Sequence, residues 1–222
     1  MAYRRTERVI QRQAERYSAI IAAARQIASE SGMAAVQIVP VAVRAGIAAG
    51  TVYRYFPSKT DLVSALVAAV TEREIAAVRR ASDRAPGPLS ALAAAIAILA
   101  ARALHSRRLT WAVMAEPVDA DVETVRLSTR KAFAAELESR IGAAVAGRHL
   151  PEQDAALAAT ALIGALLEGL IGPLAPDADD HGKARAAVQM LTLLSLRALG
   201  VVDARARGLV VQTSLPAEED AA

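Results

Sequence analysis

The 222-residue chain has no cysteine, which excludes disulfides, thiolate metal sites and cysteine nucleophiles together. Its three histidines, His105, His149 and His181, are far apart and near expected helix ends. They have no zinc-type spacing, and a lone histidine at a helix end ordinarily serves the helix dipole. Only 3% of residues are aromatic. No segment sustains a period-two alternation, so nothing predicts a sheet. A secretory leader is also missing, because the opening Met1-Ala2-Tyr3-Arg4-Arg5-Thr6-Glu7-Arg8 is charged with no apolar run behind it. The most membrane-like window, 155–174, carries Glu168, several alanines and a Gly-Pro end. It reads as a core or dimer helix rather than a span. The expectation is a cytoplasmic protein with no metal, no cofactor and no catalytic residues.

What the chain does have is 54% apolar residues, mostly alanine and leucine. Alanine loses no side-chain entropy in a helix and leucine little, so the composition favours an all-α fold. Periodicity and punctuation predict nine helices: about 12–31, 38–45, 49–55, 59–82, 89–105, 107–116, 122–146, from about 151 to 171, and 183–199. Gly32, Gly46, Pro57, Ala85-Pro86-Gly87-Pro88, Pro117, Gly147, Gly172-Pro173 and Gly200 mark the breaks. Beyond the last helix, Leu209-Val210-Val211 is strand-like but too short to build a sheet. These breaks divide the chain into 1–58, an N-terminal domain with a basic arm; 59–82, a connector helix; 83–200, a regulatory and dimerisation domain; and 201–222, a partly disordered tail.

Net charge is only +3, but residues 1–59 hold nine Lys/Arg against three Glu, +6, leaving −3 for the rest. This basic end contains the run Ala45-Gly46-Ile47-Ala48-Ala49-Gly50-Thr51-Val52-Tyr53-Arg54-Tyr55-Phe56-Pro57-Ser58-Lys59. Two short helices meet at Gly46, the second stops at Phe56-Pro57, and Ser58 can cap the next. The run resembles the helix-turn-helix of the TetR family of transcriptional repressors, and the resemblance covers about residues 16–66. It implies an N-terminal three-helix DNA-binding domain and a larger helical domain that binds a ligand and dimerises. It also implies that Arg44, Gly50, Thr51, Tyr53, Tyr55 and Lys59 touch double-stranded DNA. Tyr53 and Lys59 would position on phosphates, while Thr51 and Arg54 are the better candidates for base edges. Ala49 belongs to the same surface. Gln37 and Ala48 stand where the family usually carries a Ser or Thr cap, which costs about 1 kcal/mol per helix and removes a phosphate-binding hydroxyl. Arg4, Arg5, Arg8 and Arg12 would compensate by lying along the backbone or in a minor groove.

In the C-terminal portion, Trp111, Met114, Phe133 and Leu137 are candidates to line an apolar pocket, with Glu116, Arg126 and Arg130 as polar contacts. Plain core packing is the competing reading for Trp111 and Met114, and a water-facing place at i, i+4 is the competing reading for Arg126 and Arg130. An apolar or acyl-type effector is the preference. Leu157, Ala161, Gly164, Leu167 and Ile171 form one apolar stripe, and Val188, Leu191, Leu194 and Ala198 another. Paired with a second copy they would make a four-helix bundle. The resulting reading is a dimeric repressor released from a palindromic operator by a small effector. One rival is an enzyme using Asp119, Asp121 and Glu123, although acids at a helix start are expected anyway. The other is a helical interaction protein that has lost DNA binding.

Overall fold

The computed structural model describes residues 2–118, 120–175 and 180–213. Asp119, the acidic tail around Glu218 and the side chains of Arg4, Arg5 and Arg8 lie outside what is described. Ten α-helices and one short 3-10 turn, Met33–Ala35, make up the described residues, which contain no strand. The helices are α1 (Ala2–Ser31), α2 (Ile38–Arg44), α3 (Ala49–Tyr55), α4 (Lys59–Asp83) and α5 (Pro88–His105). They continue as α6 (Arg107–Met114), α7 (Ala120–Ala146), α8 (Ala155–Leu170), α9 (His181–Ala198) and α10 (Asp203–Gln212). The all-α expectation therefore holds, with one helix more than the nine expected. The extra one is α10, which absorbs the strand-like Leu209–Val211. Its Ala206 and Leu209 are buried against the rear core, so tertiary burial overrides local β preference.

Local chemistry accounts for the helix ends. Pro40 sits in the first turn of α2, where its missing N–H costs nothing. Gly46, at φ +66°, closes α2. The Gly46 N–H donates to the Val43 carbonyl and the Ile47 N–H to the Ala42 carbonyl, a Schellman motif. Gly200 ends α9 in the same way, its N–H donating to Arg197 O and the Val201 N–H to Leu196 O. At the end of α7 the motif recurs one residue late. Gly147 is the cap, and the left-handed position falls on Arg148, at φ 56°. Arg148→Gly is therefore expected to raise stability by about 0.5–1 kcal/mol, measured as a shift in urea midpoint with an unchanged m-value.

Two hydrophobic cores result. The rear core joins the end of α4 with α5, α7, α8, α9 and α10 around Leu92, Ile96, Leu137, Ile141, Leu170 and Leu196. The front core joins α1, α2, α3 and the start of α4 around Ile20, Val36, Val41, Val52, Leu62 and Leu66. It also takes in Leu109, Ala112, Val113 and Met114 of α6 and Val122 and Phe133 of α7, so the front core extends well past residue 58. Helix α5 is long and apolar enough to cross a membrane, yet half of it is buried inside the protein as the spine of the rear core. The membrane-like window of the sequence, 155–174, lies instead on α8 and the turn after it.

Candidate DNA-reading surface and ligand cavity

Helix α3 presents Gly50, Tyr53 and Arg54 to solvent, with Ala48 exposed at its start. Thr51, Ala49 and Tyr55 are half-buried, and Tyr55 packs on the front core. Phe56 is buried, its ring 5.3 Å from that of Tyr17. The pair pins the end of α3 to α1. Pro57 and Ser58 then turn the chain into α4. The Ser58 hydroxyl accepts from the Asp61 N–H, and the Asp61 carboxylate accepts from the Ser58 N–H, completing a capping box. Lys59 opens α4, half-buried. The first turn of α4 thus carries a carboxylate of its own, and one of its backbone donors is already used.

The caps of α2 and α3 behave as their residue types imply. Gln37 and Ala48 have extended cap geometry but no side-chain cap bond, and the Gln37 amide donates instead to the Ala34 carbonyl. The Thr51 N–H donates to the Ala48 carbonyl at 2.8 Å; Ala48→Ser is expected to add the side-chain acceptor that the first turn of α3 lacks and to stabilise the protein by about 1 kcal/mol, read as a rise in thermal midpoint. Arg44 is engaged within the protein. Its guanidinium donates both ends of its fork to Glu30 at 2.8 and 2.7 Å, tying the end of α1 to the end of α2. The Glu30 carboxyl is held below its usual range by that hydrogen bond, and the Arg44 guanidinium is raised by it. A phosphate contact by Arg44 would have to compete with Glu30.

Between α4, α5, α6, α7 and α8 lies an apolar cavity of about 70 Å³, lined by Glu74, Leu99, Ala103, Thr110, Met114, Phe133, Ile163, Leu166, Leu167 and Ile171. Glu74 in its wall is held by the buried Arg102. Of the residues expected here, Met114 and Phe133 line the cavity, while Trp111 is half-buried outside its lining and Leu137 is sealed in the rear core. The three polar candidates serve another purpose. Arg126 is 3% exposed and donates to the Val113 carbonyl at 2.9 Å, the Ala112 carbonyl at 3.2 Å and Glu123 at 3.0 Å. Arg130 donates to the Met114 carbonyl at 2.7 Å. Together these arginines cap the C-terminus of α6 from α7, where cations meet the negative end of the helix dipole. Burial depresses the Arg126 pKa, opposed by Glu123, but the guanidinium keeps its charge at any physiological pH. Glu123 is thus engaged structurally, and its proposed acid partner Asp119 lies outside the described residues.

Glu116, just past α6, reaches the front domain. Its carboxylate accepts the Met33 N–H at 2.6 Å. Gly32 makes room for it, since a Cβ there would sit 2.7 Å from the Glu116 Oε1, and Gly32 also has φ +83°. Sequence reasoning treated Glu116 as a ligand contact; its actual partner lies 83 positions away in sequence, a distance no periodicity could reveal.

The dimer candidates divide by face. Leu157, Ala161 and Gly164 of α8 and Leu194 and Ala198 of α9 are exposed. Leu167 and Ile171 turn inward to the cavity, Val188 is buried in the rear core, and Leu191 is half-buried against it. Met190, 68% exposed, lies one turn before Leu194 and was not anticipated. Its i, i+4 spacing from Leu194 was the available signal.

Residues 20–66 match the family of bacterial regulatory proteins described as the tetR family. The HTH-type transcriptional repressor KstR of Mycolicibacterium smegmatis is 49% identical over 74 residues, 33% of this chain and 34% of that protein. KstR of Mycobacterium tuberculosis is 48% identical over 73 residues, 32% and 31% of the two chains. The chain thus matches about a third of the length of these curated relatives. Whole-chain likeness appears among solved structures. RolR in complex with resorcinol aligns with TM-score 0.67 and 21% identity over 94% of this chain and 98% of that one. FadR of Bacillus subtilis in complex with stearoyl-CoA aligns with TM-score 0.68 and 19% identity over 79% and 97%. These likenesses establish the fold of the C-terminal portion, and residues 20–66 are similar to the tetR family of bacterial regulatory proteins.

Proposed function

We propose that the protein is a dimeric, ligand-responsive DNA-binding transcriptional repressor working in the cytoplasm. The observation that carries this reading is the exposed face of α3, with Gly50, Tyr53 and Arg54 beside Lys59, inside the segment that matches the tetR family. In this reading Tyr53 and Lys59 hold phosphates and Arg54 reads base edges, while Thr51 reaches a base from its half-buried position. Residues 1–58 form the DNA-binding domain, 59–82 the connector, and 83–200 the regulatory and dimerisation domain. The dimer forms through the outer faces of α8 and α9, which sets two reading helices about 34–36 Å apart.

The cavity is the effector site, and an apolar or acyl-type molecule suits its walls. Its present volume is below the ~150 Å³ that accommodates benzene in an engineered apolar cavity, so an effector must expand it. Expansion moves α6, which supplies Thr110 and Met114 to the wall, and α4, which supplies Glu74. Helix α6 then pulls on Met33 through Glu116, and α4 carries Lys59 at its far end. An effector that favours the released state by about 2.7 kcal/mol shifts the equilibrium between the two states roughly a hundredfold.

The test is a mobility-shift assay with DNA from upstream of the protein's own gene. A salt-dependent shift that requires a palindrome supports the reading. Absence of any shift would leave an interaction protein on a helical scaffold, the alternative favoured by the uncapped α2 and α3 and by the engagement of Arg44 with Glu30.

A further inference from the structure

Helix α1 is 30 residues long, and among its described side chains, which begin at Val9, the first fully buried one is Ile20. From Val9 to Ala19 every side chain is exposed except that of Arg16, which is half-buried. The direction of this free segment is fixed at both ends of the helix. Its C-terminal end leads into Gly32 and Met33, which meet Glu116 of the regulatory domain. Tyr17 meets Phe56, immediately before the Pro57-Ser58-Lys59 turn. The fifteen helical residues before Tyr17 therefore extend past the α3–α4 end of the domain by about 22 Å, at 1.5 Å per residue.

The segment carries Arg4, Arg5, Arg8, Arg12 and Arg16 against Glu7 and Glu15. Arg5, Arg8, Arg12 and Arg16 recur at spacings of three and four, the repeat of one helix face. Like charges at i, i+4 destabilise a free helix, and a solitary helix of this length is marginal in water. A row of phosphates relieves both. A helix 10–12 Å wide with its side chains cannot enter a minor groove about 6 Å wide. Of the two placements expected for these arginines, along the backbone or in a minor groove, a helix suits the first.

We infer that the N-terminal half of α1 is a second DNA-binding surface, a rigid basic helix that lies along the phosphates of the duplex flanking each half-site. This rests on the DNA-binding reading above. Each subunit then covers about six further base pairs, at 3.4 Å per step, and adds affinity without adding sequence preference.

The experiment uses the intact chain and an operator selected by it from random-sequence DNA, placed in a 40-base-pair duplex. The variants are the triple change Arg5→Gln/Arg8→Gln/Arg12→Gln and the same three positions changed to Lys. The glutamine variant is expected to keep its thermal midpoint and base preference. Its slope of log affinity against log salt should fall by about 5 for a dimer, at about 0.9 per lost contact. Its hydroxyl-radical footprint should lose the flanks, and the lysine variant should retain both. An unchanged slope and footprint in the glutamine variant overturns the inference while leaving the helix-turn-helix reading intact. If the intact chain selects no DNA at all, both fall.

Discussion

Arginine at both Leu157 and Leu194 is expected to leave the protein folded but monomeric, and to weaken operator binding by about a hundredfold or more, the loss that follows when two linked binding heads become independent. These side chains are 67% and 57% exposed in the single chain, so charge there costs the monomer little. In the proposed four-helix interface each arginine would be desolvated against apolar partners, a penalty of several kcal/mol without a counter-charge. A two-fold operator read by one head loses the second head's contribution. Sedimentation equilibrium, circular dichroism and operator titration on the same preparation check the three parts together. A double variant that stays dimeric would move the interface elsewhere, and one that unfolds would show that these residues serve the monomer's own core.

The second large effect belongs to Arg126. Removing its side chain in Arg126→Ala strips the Ala112 and Val113 carbonyls of their partner and empties a buried volume. The expected cost is about 3 kcal/mol, the scale for breaking a buried hydrogen-bonded charge. In a chain of this size that corresponds to a drop of roughly 6–12 °C in thermal midpoint. Because Arg126 and Arg130 hold the end of α6, and Glu116 two residues later holds Met33, the damage should also reach DNA binding. Operator affinity is expected to fall, and the response to any effector to shrink. Arg126→Lys, which restores a charge but not the fork, should recover only part of the stability. Equilibrium unfolding of the two variants beside the native chain measures this. Loss of stability with an undiminished effector response would break the proposed link between the cavity and the reading domain.

Much of the front domain was legible from residues alone because its signals are local. Gly46 terminates α2 by accepting a left-handed conformation, Pro57 forces the chain out of α3, and Ser58 caps α4; each acts within four residues. The missing caps at Gln37 and Ala48 could be read for the same reason. The cavity was not legible in this way. Apolar spacing marks a face on α8 but does not tell which neighbour the face meets. Leu167 and Ile171, assigned by their stripe to a dimer, turn to the cavity instead, and Met190 takes an exposed place on α9. The arginines at 126 and 130 were candidates for polar contacts in the pocket or for a water-facing place. Their carbonyl partners sit on another helix, thirteen to sixteen positions away.

By itself, then, the amino-acid sequence determined the all-helical class, the helix-turn-helix with its glycine and proline boundaries, and the concentration of positive charge around it. All three depend on backbone propensity, capping and composition, which need no long-range partner. Only the tertiary structure decided that α6 belongs to the front core, that Glu116 ties it to Met33, that Arg126 and Arg130 cap it, and that α1 continues as a helix beyond the body of the domain. These depend on which surfaces meet after the chain has folded back on itself, and side chains far apart in sequence settle that by filling shared volume and satisfying each other's buried polar groups.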